Sequence, residues 1–471
     1  SRLTIQLGVT MSNNETLSLE IGTWAQSVSI TDVPKHVQDQ ALLNILDAVG
    51  IAFASTHYEF ATRSIAATVA LGSGPRGAIA CSERFAVRDQ AMLNGILIHG
   101  LDFDDTHVPG VIHATASALP TAIAIADDRE LSGNDLVLGF LIALEIGARV
   151  GTAANGGFHA QGFHPTGLAG AFGAAAAAAK MIGLDAHGIA SAQGIVGSLA
   201  SGSMEFLETG AWTKRLHPGW AAVTGITAAE LAKAKFEAPL AIYEGRFGLY
   251  ASHTPAGHDL KMAAVTADLG SAWELLRVAI KPYAACHFTH ACIDIAIELV
   301  TENNLTAADI ESVITIVPSQ VVPVVCEPAA AKLTPRSDYD AKFSLPFIVA
   351  TAITKRRFTL ADLSDDCLVD PELLELAAKV SYQNDPNPTF PKYFHGEVII
   401  QTKDGRTLRK REDVNRGADE RPLAASEVEA KFRDNVALVA GTDVADRVLN
   451  AVMSLPTTKN SRDFVEALRT K

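Results

Sequence analysis

The stretch Thr166-Gly-Leu-Ala-Gly-Ala-Phe-Gly-Ala-Ala-Ala-Ala-Ala-Ala-Lys180 contains an unbroken alanine run, Ala174 to Ala179, with Gly183 just beyond it. Alanine has the highest helix propensity, and its small side chain lets neighbouring backbones come close. The run therefore reads as a central packing helix over 166–182, ended by Gly183 as a cap residue. Working outward, apolar spacings of three and four predict helices over 60–70, 87–100, 116–126 and 133–150 before it, and over 189–201 and 217–236 after it. Residues 17–54 show the same period with a break at Asp32-Val-Pro34. Almost no strand pattern occurs before residue 275.

From there the character changes. Arg277-Val-Ala-Ile-Lys-Pro-Tyr283 and Ile310-Glu-Ser-Val-Ile-Thr-Ile-Val317 read as strands with a helix over 289–301 between them. Glu397-Val-Ile-Ile-Gln-Thr402, the turn Lys403-Asp-Gly405 and Arg406-Thr-Leu-Arg-Lys410 read as a hairpin. Helices over 344–354 and 371–378 complete an α+β unit, and helical periods resume over 425–432 and 444–455. The expected fold is mainly α: a large all-helical domain formed by 1–274 and a C-terminal return over 413–471, with a smaller α+β lid domain, 275–412, inserted into it. A cleft between two such domains is the default place for a site.

A chain of 471 residues, 48% hydrophobic, is long enough for two or three domains with sizeable cores. Its formal charge of -14 argues against nucleic acid or an anionic membrane as partner, but leaves room for a small anionic substrate bound by a local field. Five cysteines, widely spread and without a Cys-x-x-Cys pair, read as reduced thiols of a cytoplasmic protein without a structural disulfide or zinc site. Ser1 to Thr16 lacks a basic region followed by an apolar core, so no signal peptide is expected, and Met11 reads as a native start. The apolar run Leu136 to Val150 is shorter than the roughly 18 residues a membrane span needs, and Glu145 and Arg149 interrupt it.

Chemistry concentrates in a few places. His99-Gly-Leu-Asp-Phe-Asp-Asp-Thr-His107, followed by His113, gathers three aspartates, a threonine and three histidines just after the apolar run Ala91 to Ile98. If that helix continues, Asp102 shares a face with Asp105 and Thr106. The carboxylates then hold a divalent cation, or orient histidines for proton transfer, or form a solvated acidic helix end. In Phe163-His-Pro-Thr-Gly167, His164 sits at the mouth of the alanine-rich helix, where a lone histidine is more often a structural hydrogen-bond partner than a catalyst. Gly210-Ala-Trp-Thr-Lys-Arg-Leu-His217, ahead of Pro218 and a new helix, clusters Lys214, Arg215 and His217 where a helix N-terminus also favours anions; the alternative is a solvated loop. Lys281-Pro-Tyr-Ala-Ala-Cys-His-Phe-Thr-His290 offers His287 and His290, with Cys286 as a less favoured nucleophile. No Walker loop, Gly-x-Gly-x-x-Gly after a strand or Gly-x-Ser-x-Gly elbow is present, which favours chemistry without a cofactor.

Taken in order, Asn94-Gly with His99 and Leu101-Asp-Phe-Asp-Asp-Thr106, His164-Pro-Thr-Gly167, Thr213-Lys-Arg-Leu-His-Pro-Gly219, Lys281-Pro-Tyr-Ala-Ala-Cys-His287, Lys342-Phe-Ser-Leu-Pro346, and Arg421-Pro-Leu before Glu427 and Phe432 resemble the MmgE/PrpD family nearly end to end. Its members include methylcitrate dehydratase, cis-aconitate decarboxylase and iminodisuccinate epimerase. The resemblance implies a helical large domain, an inserted α+β lid, a homodimer, and a site between the domains without metal or organic cofactor. It carries roles to Asp102, His113, His164, Lys214 and His287, read as catalytic, and to Thr106, read as substrate-binding; Lys281 joins the binding set, as does Arg215 on charge alone.

Two departures bear on the substrate. Val111-Ile-His-Ala-Thr-Ala116 stands where methylcitrate dehydratases have His-Pro-Ser, with an apparent one-residue insertion, and Phe347 stands where the decarboxylases carry a tyrosine. Both favour an epimerase that removes and returns a proton beside a carboxylate of a di- or tricarboxylate such as iminodisuccinate. A dehydratase or decarboxylase is the alternative, and outside enzymes a tricarboxylate-binding protein. In the expected mechanism Lys214 and Arg215 neutralise substrate charge, His113 and His164 move the proton, Asp102 orients a histidine, Thr106 bonds the substrate, and His287 arrives with the lid.

Overall fold

The structure, a computed structural model, describes residues 16–390, 392–417 and 420–470, so the expectations for the first fifteen residues lie outside it. The chain divides into two compact units. Among the described residues, the first comprises 16–100, 104–278 and 439–470; the second comprises 101–103 and 279–438.

In the first unit the alanine-rich helix spans Pro165–Met181 and is buried from Pro165 through Ala179. The helices Ala114–Asp128, Gly133–Ala154 and Thr213–Lys233 pack around it. Gly173 lies against the Ala143 carbonyl and Gly225 against Ala174 so closely that a Cβ on either glycine would collide. Small side chains thus do what their composition implied, bringing helix backbones into near contact. The helix ends where Gly183 takes φ +85°, and the Leu184 N–H donates to the Ala179 carbonyl at 3.0 Å.

Gly133–Ala154 is long and apolar enough to cross a membrane by length and composition, yet its residues are buried within the unit. Its two interrupting charges form a 3.5 Å ion pair and lean on backbone groups: Glu145 accepts the Leu275 N–H at 3.1 Å, while Arg149 donates to the Ala267 and Ala272 carbonyls. Burial pushes the Glu145 carboxyl up to about 7.

One helix starts earlier than its proline suggested. Thr213–Lys233 encloses Pro218 rather than beginning at it. A proline there forgoes only its own N–H bond, back to the Lys214 carbonyl, and near a helix N-terminus that loss is tolerated. Before residue 275 the strands among the described residues are two-residue pieces, Arg76–Gly77, Arg84–Phe85 and Thr106–His107.

The second unit carries a four-stranded sheet in the order Val380–Asn384, Ile310–Val317, Gly396–Thr402, Thr407–Glu412. The first pair is parallel and the others antiparallel, with Ile314 between Ser381 and Ile399. The hairpin turns at Gly405, φ +89°. Helix His290–Glu302 packs on the hairpin strands and on helix Leu345–Lys355. Of the strand expected over 277–283 only Val278–Ala279 forms, because Pro282 has no N–H for a ladder. Helix Ala425–Ala437 belongs to this unit, and the chain rejoins the first unit at Val439 rather than at 413.

Candidate active site

The helix Val87–His99 stops at His99, and Asp102 takes φ +53°. A left-handed residue cannot continue a right-handed helix, so the expected helical face shared by Asp102 and Thr106 does not exist. In the second unit three lysine ammoniums take the successive carbonyls of Leu101–Phe103. Lys342 donates to Leu101 at 2.8 Å, Lys281 to Asp102 at 2.8 Å and Lys431 to Phe103 at 3.0 Å. All three lysines are buried. Lys281 also lies 3.8 Å from the Asp102 carboxylate, and the Lys431 ammonium sits 3.8 Å above the Phe103 ring.

The next two aspartates turn inward in the first unit, 1% and 2% exposed, which removes the reading of a solvated acidic helix end. Asp105 is a framework residue: it accepts from Asn44 Nδ2 at 2.8 Å, from the Thr115 N–H at 3.1 Å and from the Thr115 hydroxyl. Burial pushes it up to about 6. Asp104 is the carboxylate set against imidazoles. Its Oδ2 lies 2.8 Å from His99 Nδ1 and its Oδ1 3.5 Å from His113 Nδ1. Within the first unit Asp104 is thus a carboxylate that orients His99 and His113, a role not expected of this residue from the sequence.

His113 Nδ1 also lies 3.0 Å from the Asp105 carbonyl. A carbonyl only accepts, so Nδ1 carries a proton and Nε2 is the nitrogen left to gain or lose one. His164 Nδ1 sits 2.9 Å from His217 Nδ1, where one ring must donate and the other accept. Ring centroids are 4.7 Å apart for His99 and His113, 5.7 Å for His99 and His164, and 5.1 Å for His164 and His217. Burial, reinforced by the charges of His99 and Lys214, holds His164 well below the usual histidine range and His217 at about 4. Both are neutral near pH 7.

Helix ends explain the cluster's field. His113 immediately precedes helix Ala114–Asp128, His164 precedes Pro165–Met181, and Lys214 lies in the first turn of Thr213–Lys233. Three helix N-termini thus meet at the imidazoles, and each presents partial positive charge suited to an anion. The Thr106 hydroxyl oxygen is buried without a hydrogen-bond partner among the described residues, as a group awaiting a ligand would be.

Of the expected residues, His113, His164 and Lys214 come together in the first unit. Asp102, Lys281 and His287 lie in the second, where His287 is buried with its ring 4.6 Å from that of His290 and 5.5 Å from that of Phe394. Arg215 differs from expectation. Its Nε donates to the Gly100 carbonyl at 2.7 Å and its guanidinium lies 4.4 Å from the centre of the Phe60 ring, so it caps the helix that ends at His99. Burial pushes the Cys286 thiol up to about 11, which disfavours a nucleophilic thiolate. His107 is a packing residue, with Nε2 2.7 Å from Glu274 and Nδ1 accepting from the Gly110 N–H at 3.0 Å.

His99 and Asp104 were given no separate role from the sequence, and His217 only a place in the cationic cluster with Lys214 and Arg215. Membership of the histidine- and aspartate-rich stretch was the signal for the first two. His99, Asp104 and His113 could by composition hold a metal ion, since their ligand atoms lie within 4.8 Å of one another. The Nδ1–H of His113 is committed to a carbonyl, however, and His99 Nδ1 faces the carboxylate at hydrogen-bond distance. These contacts orient the rings rather than aim their lone pairs at a shared centre.

Residues 19–260 match the MmgE/PrpD N-terminal domain and residues 283–456 the MmgE/PrpD C-terminal domain. The chain is 30% identical to the cis-aconitate decarboxylase of Homo sapiens over 380 residues, 78% of this chain and 76% of that protein. It is 26% identical to a cis-aconitate decarboxylase of Aspergillus terreus over 479 residues, 96% of each chain. For the cis-aconitate decarboxylase of Mus musculus the figures are 28% over 431 residues, 87% and 85%. These relatives are lyases, and they support the alternative reading over the epimerase expected from the two departures. One of those departures, Phe347, is a fully buried residue of helix Leu345–Lys355, where a ring without a hydroxyl leaves no polar group to satisfy. Covered by both domain matches, the chain belongs to the MmgE/PrpD family of enzymes.

Proposed function

We propose that the chain is a cofactor-independent lyase that removes carbon dioxide from an unsaturated tricarboxylate of the cis-aconitate type. The observation that carries this reading is the Asp104-anchored imidazole cluster at three helix N-termini beside Lys214. In such a substrate one carboxylate sits on a methylene group next to the double bond. When its C–C bond breaks, carbon dioxide leaves, the electron pair forms a new double bond, and the old alkene carbon takes up negative charge delocalised into its own carboxylate. That carbon must then receive a proton.

The site answers both demands. Lys214 and the helix N-termini neutralise the remaining carboxylates and the developing charge. His113 is the proton donor, through Nε2: its Nδ1–H rests on the Asp105 carbonyl near the Asp104 carboxylate, which stabilises the imidazolium. His164 and His217, held neutral, accept or donate hydrogen bonds without adding charge, and Thr106 binds a substrate oxygen. Asp102, Lys281 and His287 keep proposed roles on the strength of the motif matches alone.

The test is turnover with excess EDTA present, offering cis-aconitate, methylcitrate and iminodisuccinate separately and following products by NMR. Carbon dioxide released from cis-aconitate, with a product bearing a terminal methylene, supports the proposal. Water loss from methylcitrate or isomerisation of iminodisuccinate, with cis-aconitate untouched, overturns it. A positioned acid contributes roughly 10² to 10⁴ in rate, so His113→Asn should fall by about that factor.

A further inference from the structure

The second unit carries a partly open cavity of about 290 Å³ that the proposed chemistry does not use; neither Lys281 nor His287 lines it. We propose that this cavity is a second ligand site, for a small organic anion that carries one carboxylate or phosphate group on an apolar body.

The first reason is Asn435, which lines the cavity, is 3% exposed, and has no hydrogen-bond partner for Nδ2 among the described residues. A buried amide donor left unpaired is unfavourable, and a ligand oxygen in the cavity would satisfy it.

The second reason is charge. Arg416 and Glu427 on the wall pair with each other, and Arg416 also holds Asp294 at 2.9 Å. That leaves Arg356, Arg357 and Lys431 on the wall against Asp434, with Asp362 just behind it: an excess of one cation, while burial and Asp362 push Asp434 above its usual range. Lys431 is engaged with the Phe103 carbonyl, and Arg356 with Asn304 and the Leu305 carbonyl. Arg357 is the least committed, with its nearest acid, Asp362, at 3.4 Å and its side chain 61% exposed. In a chain of net charge -14, an excess of cations around an unpaired buried donor marks an anion's head group.

Apart from the hydroxyl-bearing Tyr283 and Thr359, the rest of the wall is apolar, including Phe358 and Leu423, which would receive the apolar body, and the volume is at the small end of ligand pockets.

The test uses the whole chain and three probes, benzoate, phenyl phosphate and uncharged benzyl alcohol, titrated by calorimetry and ligand-observed NMR. Saturable binding of at least one anion is expected, with benzyl alcohol weaker by about tenfold, the loss of one charge-assisted hydrogen bond. The tighter of the two anions identifies the head group. Arg357→Ala, at an exposed position that should not disturb folding, and Asn435→Leu should each weaken that binding by about tenfold. Lys214→Ala, in the other unit, should leave it unchanged. No saturable binding of either anion up to about 10 mM would overturn the proposal, as would binding indifferent to both cavity variants or abolished by Lys214→Ala.

Discussion

Replacing Asp104 by asparagine keeps the side chain's shape and removes one negative charge from a position that is 1% exposed. Its oxygens face His99 Nδ1 at 2.8 Å and His113 Nδ1 at 3.5 Å. Toward His113 the contact is one of charge, because the Nδ1 proton rests on the Asp105 carbonyl. Removing a unit charge 3.5 Å away withdraws about 1 kcal/mol or more from its imidazolium, which lowers the pKa by about one unit. The sign follows from the role assigned to His113. A proton donor must be protonated, so activity is lost as pH rises through its pKa, and lowering that pKa moves the alkaline limb of the kcat profile to lower pH. At neutral pH kcat should fall about 10- to 100-fold, with partial recovery on mild acidification. The assay is carbon dioxide release from cis-aconitate across the pH range, with thermal melts to confirm folding. A folded D104N protein whose kcat and alkaline limb match those of the parent would refute the reasoning.

His217 has a folded-state pKa of about 4 against 6.5, so its contribution to stability is present above the unfolded value and is lost as pH falls toward 4. By linkage the loss at pH 5 is about 2 kcal/mol. His217→Gln should accordingly narrow the difference in denaturation midpoint between pH 7 and pH 5, and an unchanged difference would show that His217 does not titrate this way. Lys431→Met retains packing against Phe103 but leaves the Phe103 carbonyl without its donor. It should cost about 1–3 kcal/mol in urea unfolding, and an unaltered midpoint would show that the lysine does not hold the turn. Arg215→Lys keeps the charge and loses the planar contact to Phe60 and the Nε bond to Gly100. A lower melting temperature with KM unchanged is expected; a raised KM with the melting temperature unchanged would restore Arg215 as a substrate cation.

Where local rules act alone, the sequence was readable. The alanine run with its glycines has one good conformation and one good use, and Lys403-Asp-Gly405 turns a hairpin whichever structure surrounds it. His164 and Lys214 could be placed at helix N-termini from the sequence because Pro165 and the basic cluster mark them, and an N-terminus has a direction and a field. What stayed hidden depends on distant partners. That Asp104 and Asp105 turn into the first unit follows the positive φ at Asp102, in a turn held by lysines 179 to 328 positions away. The helix holding His217 was expected to open at 217, because Pro218 suits a first turn, and it begins four residues earlier at Thr213. The strand Val380–Asn384 carries Ser381, Gln383 and Asn384 and is largely exposed, so it has no apolar alternation to read; it exists because Ile310–Val317 offers it a parallel edge. Arg215 looked like a substrate ligand because charge can be read from sequence and the Gly100 carbonyl it caps cannot.

The central claim is that imidazoles of the first unit protonate a carbon from which carbon dioxide has left. Its most direct measurement is the mass of the acid recovered after the chain has acted on cis-aconitate in deuterated water. The account predicts a product lighter by carbon dioxide that carries a single deuterium at the former alkene carbon, formed far more slowly by His113→Asn. Recovery of an acid of the starting mass that has merely gained deuterium, or a His113→Asn protein as fast as the parent, would contradict it.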